Sequence, residues 1–577
     1  MFSFGNKKNR APKIVALDCL SSAISEYSDF PVEVDENGDF ESGKPAAMSF
    51  EAEGGSMPEA VPAESAPARP VLNSAPLAAP ASLQAVNTLQ IGKRIFLIFA
   101  GDGAMEQAKK VDLSKWLIFN TDSGIVEDEA PFDRIRAAVE RRGLTGNGLA
   151  ICPKGVSTGF FFTQIFGGDE DAQPSIGVSE GEIICPLCWL KFDIGDAMSI
   201  ASHESLRGDT VLGSEEMMRF LPTAFDSEGV ALDPAGMPAP DVACPHCRKR
   251  LPTGYLDLNR HIFSIVGAPS AGKSYYLSVL IKELQTALFK HFGASFKDLD
   301  PSGNMLLTQM KNRLFSAERP EEAILAKTAL EGAMYERYPR FGKMVALPKP
   351  MTYAVSKEGK NGSPGVASAL IFYDNAGEHF EPGLDMDDSP GAMHVASSDA
   401  IFFLFDPAAN RNFKRMLPDN PDPQLKIGGR LDQQDTILAE MEVRIKRILG
   451  LSSRDRVQTP LAVMLGKSDL WLGLLNEPLA PYYLPDGSFS KEAVDGNSEI
   501  LRRFMLDADP SIVSGAESIS ENVKYFAISS LGHSPVKLED GPQAGKIAPV
   551  PSKLAPSDVE IPTLWTLSIL EPGLSEG

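Results

Sequence analysis

The most constraining feature of the sequence is the octapeptide GAPSAGKS at Gly267–Ser274. It follows an apolar run at His261–Val266 and precedes YYLSVLIKELQTALF, which has helical apolar spacing. A strand, a glycine-rich loop and a helix in this order predict a P-loop, where backbone N–H groups and the helix N-terminus surround a phosphate. Lys273 should reach the β- and γ-phosphates of a nucleotide, and Ser274 should bind Mg²⁺. The predicted nucleotide-binding residues here are Gly267, Ala268, Pro269, Ser270, Ala271, Gly272, Lys273, Ser274 and Tyr275.

A second segment, ASALIFYDNAGE, contains a predicted buried strand that ends at Asp374. Asp374–Gly377 matches the DxxG pattern of GTPases, in which the aspartate holds Mg²⁺ through water and the glycine amide contacts the γ-phosphate. DxxG alone is a weak signal, because Asp and Gly commonly follow strands in turns. Its position after a P-loop and at the end of a strand favours roles in nucleotide binding for Asp374 and Gly377.

A third segment, PLAVMLGKSDLW, ends its strand at Gly466–Asp469 and is similar to the NKxD guanine reader, with Gly in place of Asn. The Asp469 carboxylate can accept hydrogen bonds from guanine N1–H and N2–H₂ together, a pair of donors that adenine lacks. Lys467 should lie along the base. The alternative is a surface turn, which would leave a P-loop ATPase. After the later run KYFAIS, Ser530 and Leu531 match a short motif whose backbone contacts guanine O6.

The catalytic residues follow less directly from the sequence. Ras-like GTPases have Gln after DxxG to orient the attacking water, whereas this chain has Glu378 and then His379. An ionised Glu cannot donate to a γ-phosphate oxygen, so His379 or a partner would have to orient the water. We therefore expect slow hydrolysis. Thr328 is the candidate switch threonine for Mg²⁺, and Lys273 completes the candidate catalytic set.

From residue 258 to the end, apolar runs alternate with helical stretches, which predicts a mostly parallel sheet covered on both faces. We expect about six strands with flanking helices, including Met351–Ser356 and Ser398–Pro407. The motifs follow the carboxyl ends of strands, the edge at which open α/β sheets bind ligands. This α/β arrangement is similar to the Ras-like fold of the TRAFAC P-loop GTPases.

Two CxxC pairs, CPLC at 185–188 and CPHC at 244–247, each present two thiols across a tight turn. Paired CxxC motifs predict a zinc-ribbon-like module with a closed, structural Zn²⁺ site. The long spacing between the pairs suggests a helical insertion around Glu215–Leu221. His203 and His246 are alternative ligands. The predicted zinc ligands are Cys185, Cys188, Cys244 and Cys247.

Composition limits the remaining possibilities. The formal net charge of −22, with no basic stripe, argues against a nucleic-acid partner. No apolar run is long enough for a membrane helix, and we expect a cytoplasmic protein.

The Ala/Pro/Ser-rich start predicts a disordered tail, in which Ile14–Tyr27 is a candidate short helix. The predicted domains are a disordered acidic tail (1–90), a small α/β region (91–180), the zinc module (181–257) and the nucleotide domain (258–577).

The run CPLCWLKF…RFLPTAFDSEGVALDPAG…ACPHCRKRLP, followed by SIVGAPSAGKSYYLSVLI, resembles the bacterial double-GTPase families. These are TRAFAC GTPases with a zinc-binding region just before the P-loop. The resemblance spans roughly Ile184 to Leu570. It implies GTP/GDP, Mg²⁺ and Zn²⁺ as cofactors, and a companion GTPase in systems of bacterial conflict or defence. The alternative hypothesis is a scaffold that binds nucleotide and zinc without hydrolysis.

Overall fold

The structure is a computed structural model, and the chain divides into two compact units, residues 1–184 with 191–250, and residues 185–190 with 251–577. The described residues are 13–35, 37–42, 44, 46–52, 58–63, 71–72, 75–76, 81–91, 94–101, 103–120, 126–136, 149–154, 156, 160–161, 182–325, 335–340, 343–359, 365–375, 393–426 and 434–575.

The first unit begins with antiparallel strands where the sequence predicted a disordered tail, so that prediction is wrong for the described residues. The stretch Ile14–Tyr27 forms two strands and not a helix. The first of them is wholly buried, because it pairs with the apolar run Arg94–Ala100, far away in sequence. The strands are β1 (Ile14–Asp18), β2 (Ile24–Tyr27), β3 (Val32–Asp35), β4 (Ala46–Glu51), β5 (Glu59–Pro62), β6 (Val71–Leu72), β7 (Ala75–Pro76), β8 (Ala81–Ser82), β9 (Val86–Ile91) and β10 (Arg94–Ala100).

These strands form two sheets. One is six-stranded, in the order β2-β1-β10-β9-β6-β7, and the other is four-stranded, in the order β3-β4-β5-β8. The same unit continues with α1 (Ala104–Ala108), β11 (Asp112–Asn120), β12 (Val126–Ala130), β13 (Leu149–Lys154) and β14 (Phe160–Phe161). These four strands form a further sheet of order β12-β11-β13-β14, and residues 132–136 are helical.

The segment between the two CxxC pairs consists of short strands and 3₁₀ turns. The helical insertion expected around Glu215–Leu221 is absent, and two strands occupy this stretch. A buried ion pair between Arg248 and Asp209 (2.9 Å) lies beside them, and the Arg248 guanidinium also donates to the Arg219 carbonyl. The strands are β15 (Glu182–Ile184), β16 (Lys191–Asp193), β17 (Met198–Ile200), β18 (Arg207–Asp209), β19 (Gly213–Met217), β20 (Arg219–Phe220) and β21 (Val242–Ala243).

The second unit is mixed α/β around a seven-stranded sheet of order β23-β26-β27-β22-β28-β29-β30. Strands β27, β22, β28, β29 and β30 are parallel to one another, and β26 is antiparallel to β27. The edge strand β23 is antiparallel to β26 and so runs in the same direction as the five parallel strands. The sheet thus has one strand more than expected. The strands are β22 (Asn259–Gly267), β23 (Ser295–Asp298), β24 (Tyr335–Arg340), β25 (Lys343–Pro348), β26 (Met351–Lys357), β27 (Val366–Asp374), β28 (Ala400–Phe405), β29 (Leu461–Leu465), β30 (Val523–Ala527), β31 (Val536–Lys537) and β32 (Ile547–Ala548).

Helices pack on both faces of this sheet. The alternation of side chains along β28 shows the two cores: Phe402 and Leu404 join one hydrophobic cluster, and Phe403 and Phe405 join the other. No helix in the described ranges is long and apolar enough to span a bilayer. The helices are α2 (Lys273–Ala287), α3 (Met305–Ser316), α4 (Met393–Ala396), α5 (Arg411–Met416), α6 (Gln434–Leu449), α7 (Ser468–Trp471), α8 (Lys491–Ala508), α9 (Pro510–Ile519), α10 (Ile561–Leu570) and α11 (Pro572–Ser575).

Candidate functional site

The octapeptide joins β22 to α2, as the sequence predicted. Gly267 lies so close to the neighbouring strand that a Cβ atom there would be 2.6 Å from the Leu404 carbonyl oxygen. Ser270 and Gly272 have φ angles of 64° and 105°, which bend the loop through the left-handed region. Because α2 begins directly after Gly272, its free N–H groups lie next to this loop.

Lys273 is the first residue of α2 and is almost completely buried. Its ammonium group donates to the carbonyl oxygens of Gly267 (2.7 Å) and Ala268 (3.1 Å). The positive charge is therefore held at the loop, next to the helix N-terminus. Both features favour a bound phosphate group.

The two predicted magnesium ligands come together at the same edge of the sheet. The Ser274 hydroxyl donates to an Asp374 carboxylate oxygen over 3.1 Å, although the two residues are 100 positions apart. The contact arises because β22 and β27 are parallel neighbours, with Ile265 opposite Asp374. A hydroxyl and a carboxylate are oxygen ligands of the kind that Mg²⁺ prefers. Gly377, Glu378, His379 and Thr328 lie outside the described residues.

Tyr275 follows Ser274 in the helix, and its side chain contacts another segment of the chain. The phenol oxygen donates to the Ala323 carbonyl (3.3 Å) and accepts from the Leu325 N–H (3.0 Å). Burial raises the pKa of this phenol. Tyr275 thus anchors residues 323–325, and its predicted contact with a nucleotide stays a prediction.

The predicted base-reading segment follows β29 at the same edge. Asp469 accepts a hydrogen bond from the Ser529 hydroxyl (2.5 Å), and that hydroxyl also accepts from the Gly532 N–H (2.8 Å). The structure therefore brings the segment Gly466–Asp469 and the loop that contains Ser530 and Leu531 together. Ser530 and Leu531 lie in the loop after β30, and the Leu531 carbonyl accepts from the Ala555 N–H (2.9 Å).

Sequence reasoning missed one residue of this edge. The Lys467 ammonium lies 2.6 Å from a carboxylate oxygen of Asp406, which follows the end of β28 and is buried. The signal was present in SDAIFFLFDP, where an Asp follows an apolar strand, just as Asp374 does.

The four predicted zinc ligands also lie together. Their sulfur atoms are all within 4.8 Å of one another, and all four cysteines are buried. A tetrahedral Zn²⁺ with Zn–S bonds of about 2.3 Å places its sulfurs about 3.8 Å apart. The cluster could therefore hold a metal ion. The ligands are Cys185, Cys188, Cys244 and Cys247.

The two CxxC turns repeat the same backbone hydrogen bonds. In the first, the Cys185 N–H donates to Leu190 and the Cys185 carbonyl accepts from Trp189. In the second, the Cys244 N–H donates to Lys249 and its carbonyl accepts from Arg248. Trp189 and Arg248 both have positive φ, at 59° and 57°. In addition, the N–H groups of Leu187 and His246 each lie 3.4 Å from the first cysteine sulfur of their own turn.

The alternative histidine ligands have other hydrogen-bond partners. His246 Nε2 lies 2.9 Å from the Lys191 carbonyl, and His203 Nδ1 lies 2.7 Å from the Ser205 hydroxyl. The donor set is therefore four thiols. A set of four thiolates fits Zn²⁺ better than Mg²⁺ or Ca²⁺, which prefer oxygen ligands.

No family model matches the chain. The sequence is 25% identical over 321 residues to a Mycolicibacterium smegmatis protein named "Putative ESX-1 scaffolding and assembly protein SaeC", covering 51% of this chain and 72% of that protein.

Among solved structures, the chain is similar to a "putative nucleolar GTP-binding protein 1" from Plasmodium falciparum, with a TM-score of 0.22 and 11% identity over 56% of this chain and 93% of that one. It is also similar to the Saccharomyces cerevisiae Ski7 GTPase-like domain bound to GTP, with a TM-score of 0.20 and 13% identity over 47% and 43% of the two chains. TM-scores this low do not establish a shared fold.

Proposed function

We propose that this chain is a Mg²⁺-dependent GTP-binding protein with a Ras-like nucleotide domain, and that it acts as a slow GTPase switch. The observation that carries the proposal is the hydrogen bond between Ser274 and Asp374. It joins the P-loop to the strand that ends in DxxG, at the carboxyl edge of the parallel strands, where open α/β sheets bind ligands. The sheet order β26-β27-β22-β28-β29-β30, with only β26 antiparallel, supports the Ras-like assignment.

The choice of GTP over ATP rests on Asp469. The Ser529 hydroxyl holds one of its carboxylate oxygens, which orients the group for the two adjacent donors of guanine. Adenine presents an acceptor at N1 and no amino group at C2, so it would offer this carboxylate no hydrogen-bond donor. A site built around such a group rejects the base that lacks the matching donors.

The first experiment is a titration of purified, nucleotide-free protein with fluorescent GTP and ATP analogues, first with Mg²⁺ and then with the Mg²⁺ chelated. We expect Mg²⁺-dependent preference for the guanine analogue, lost in Asp469→Ala. In Asp469→Asn, the amide can donate to the C2 carbonyl of xanthine, so preference should shift to xanthosine triphosphate. Equal binding of the GTP and ATP analogues by the unchanged protein would overturn the proposal and indicate a P-loop ATPase.

Slow hydrolysis, with Thr328, Glu378 and His379 in the catalytic roles given above, belongs to the same proposal. The second candidate function is a nucleotide- and zinc-binding scaffold without hydrolysis. It is favoured by the name of the mycobacterial relative, which is that of a scaffolding and assembly protein. Multiple-turnover assays of Glu378→Gln separate the two, since this change should accelerate a GTPase and leave a scaffold inactive.

We also propose that the protein acts in the cytoplasm with a companion GTPase in a conflict or defence system.

We further propose that the four cysteines bind one structural Zn²⁺. A Zn²⁺ bound by four cysteines stabilises the folded state and has no open coordination position at which a substrate could react. Metal analysis of the purified protein should give one zinc per chain, and Cys247→Ser should lower it. A zinc content near zero in the unchanged protein would contradict this assignment.

A further inference from the structure

The base-reading segment departs from the NKxD pattern at its first position, where Gly466 replaces Asn. The structure shows that the chain is crowded there. The Gly466 N–H donates to the Phe405 carbonyl (3.0 Å), and a Cβ atom on Gly466 would be 3.1 Å from that same oxygen. A side chain at 466 would therefore press against the end of β28, and the hydrogen bonds of an Asn have to be replaced by another group.

Asp406, the residue after Phe405, provides such a group. One of its carboxylate oxygens accepts from the Lys467 ammonium (2.6 Å) and from the Ala408 N–H (3.0 Å). The Asp406 side chain is 1% exposed and that of Lys467 is 17% exposed, so the ion pair is largely shielded from solvent. Ion pairs that are shielded in this way interact more strongly than exposed ones.

Asp406 is itself held in place by Gln434, the first residue of α6. The Gln434 amide oxygen accepts from the Asp406 N–H (2.6 Å), and its nitrogen donates to the Asp406 carbonyl (3.2 Å). Gln434 is also buried. The carboxylate that contacts Lys467 thus sits on a backbone fixed from both sides, by Gln434 and by the pairing of β28 with its neighbours.

We infer that Asp406 is a positioning residue of the base site: its carboxylate fixes Lys467 so that the lysine alkyl chain lies along the base, in place of the hydrogen bonds that Asn would supply at 466. The inference rests on the proposed function. Two carboxylates then have different roles at this edge: Asp469 selects which base binds, whereas Asp406 affects how tightly any base binds. Lys467 also has a left-handed backbone (φ 52°), a conformation that a residue other than glycine keeps only when its surroundings hold it in place.

The experiment compares Asp406→Asn with the unchanged protein in binding GDP, ADP and inorganic triphosphate. We expect GDP affinity to fall by about tenfold or more, because one partner of a shielded charge pair is lost. The ratio of GDP to ADP affinity should stay the same. Binding of inorganic triphosphate, which has no base, should also be unchanged. Equal losses for GDP and triphosphate would overturn the inference, because they would show a general structural defect.

A matched control is Asp399→Asn, at the opposite end of the same strand. Asp399 accepts from the Ile262 N–H (2.7 Å), a bond that an Asn oxygen can keep, and we expect no change in nucleotide affinity. The second test is Lys467→Met, which keeps the alkyl chain and removes the charge. When Lys467→Met is already present, Asp406→Asn should lower GDP affinity by less than twofold. A full tenfold loss would show that Asp406 does not act through Lys467.

The outcomes also distinguish this inference from the proposed function. If the unchanged protein binds no guanine nucleotide, the proposed function fails. If it binds GDP with preference over ADP and Asp406→Asn changes GDP affinity by less than twofold, only the role of Asp406 fails.

Discussion

The phosphate side and the base side of the proposed nucleotide site are built differently, although both lie at the carboxyl edge of one sheet. On the phosphate side, the loop and its lysine are contiguous, and Lys273 contacts carbonyls only five and six residues away. On the base side, the contacts join segments that are 60 and 61 residues apart, through Ser529 with Asp469 and Lys467 with Asp406.

This difference implies different sensitivities to substitution. A contiguous loop depends on a few groups that would each contact the ligand directly, so a single change there should weaken binding strongly. The base side depends on neighbouring segments that hold the reading residues in place. Two of these are the loop after β30 and the segment around Ser557, which exchange hydrogen bonds between Ser529 and Ser557 (3.0 and 2.9 Å). Changes there should alter selectivity and stability before they abolish binding.

The largest effect should follow from Lys273→Ala. Loss of the buried ammonium at the P-loop should weaken GTP and GDP binding by about a hundredfold or more, since charged hydrogen bonds to phosphate are strong. Titration with fluorescent nucleotides measures this loss. Lys282→Ala on the same helix is the control, because Lys282 lies over the Phe315 ring (3.7 Å) and not at the loop. Comparable losses of nucleotide affinity in both variants would contradict a specific role of Lys273 in phosphate binding.

The next effect should follow from Gly532→Ala, which tests whether the base side depends on its neighbouring segment. The added Cβ would lie 1.8 Å from the Ala555 carbonyl oxygen, at a residue with φ of 70°. We expect about 3 kcal/mol or more of lost stability, and a reduced preference for guanine over adenine nucleotides. Denaturant unfolding and nucleotide titration measure the two.

The control for this prediction is Gly541→Ala. Gly541 has a similar φ of 84°, but nothing lies within 4 Å of an added Cβ. We expect only the conformational cost, about 1 kcal/mol, with selectivity unchanged. If both variants lose stability equally, the contact with Ala555 is unimportant.

The smallest effect should follow from Asp558→Asn, beside Ser557. Burial, and next the Glu560 charge, raise the pKa of Asp558 from 3.8 to about 6. The folded state therefore binds this proton more tightly than the unfolded state, and stability falls as the pH rises from about 4 to about 6. At pH 7 the uncharged Asn should stabilise the protein by at most about 3 kcal/mol. Asn also tolerates the left-handed backbone at this position (φ 56°).

Chemical unfolding of both proteins between pH 4 and pH 7 measures this effect. The gain should shrink as the pH falls towards 4, because Asp558 becomes protonated there. An Asn variant that is less stable than the unchanged protein at pH 7 would contradict this prediction. It would mean that the ionised Asp558 carboxylate makes a favourable contact and does not destabilise the fold.

Short-range patterns accounted for the parts of the molecule that were predicted well. The strand–loop–helix around Gly267–Ser274 follows from local backbone chemistry, and the two CxxC turns follow from their own spacing. The failures lie where partners are distant. The strand Ile14–Asp18 reads as part of a polar tail, yet it is buried because Arg94–Ala100 pairs with it. Composition averaged over the whole segment concealed this short apolar run.

The sequence by itself determined the strand–loop–helix around Gly267–Ser274, the two CxxC turns and the strands that precede each motif, because all of these depend on residues that are neighbours in the chain. Only the tertiary structure decided which motifs meet. It brought Ser274 to Asp374, Ser529 to Asp469 and, unforeseen, Asp406 to Lys467. The physical reason is that the order of parallel strands sets which carboxyl ends are adjacent, and that order comes from packing over the whole sheet.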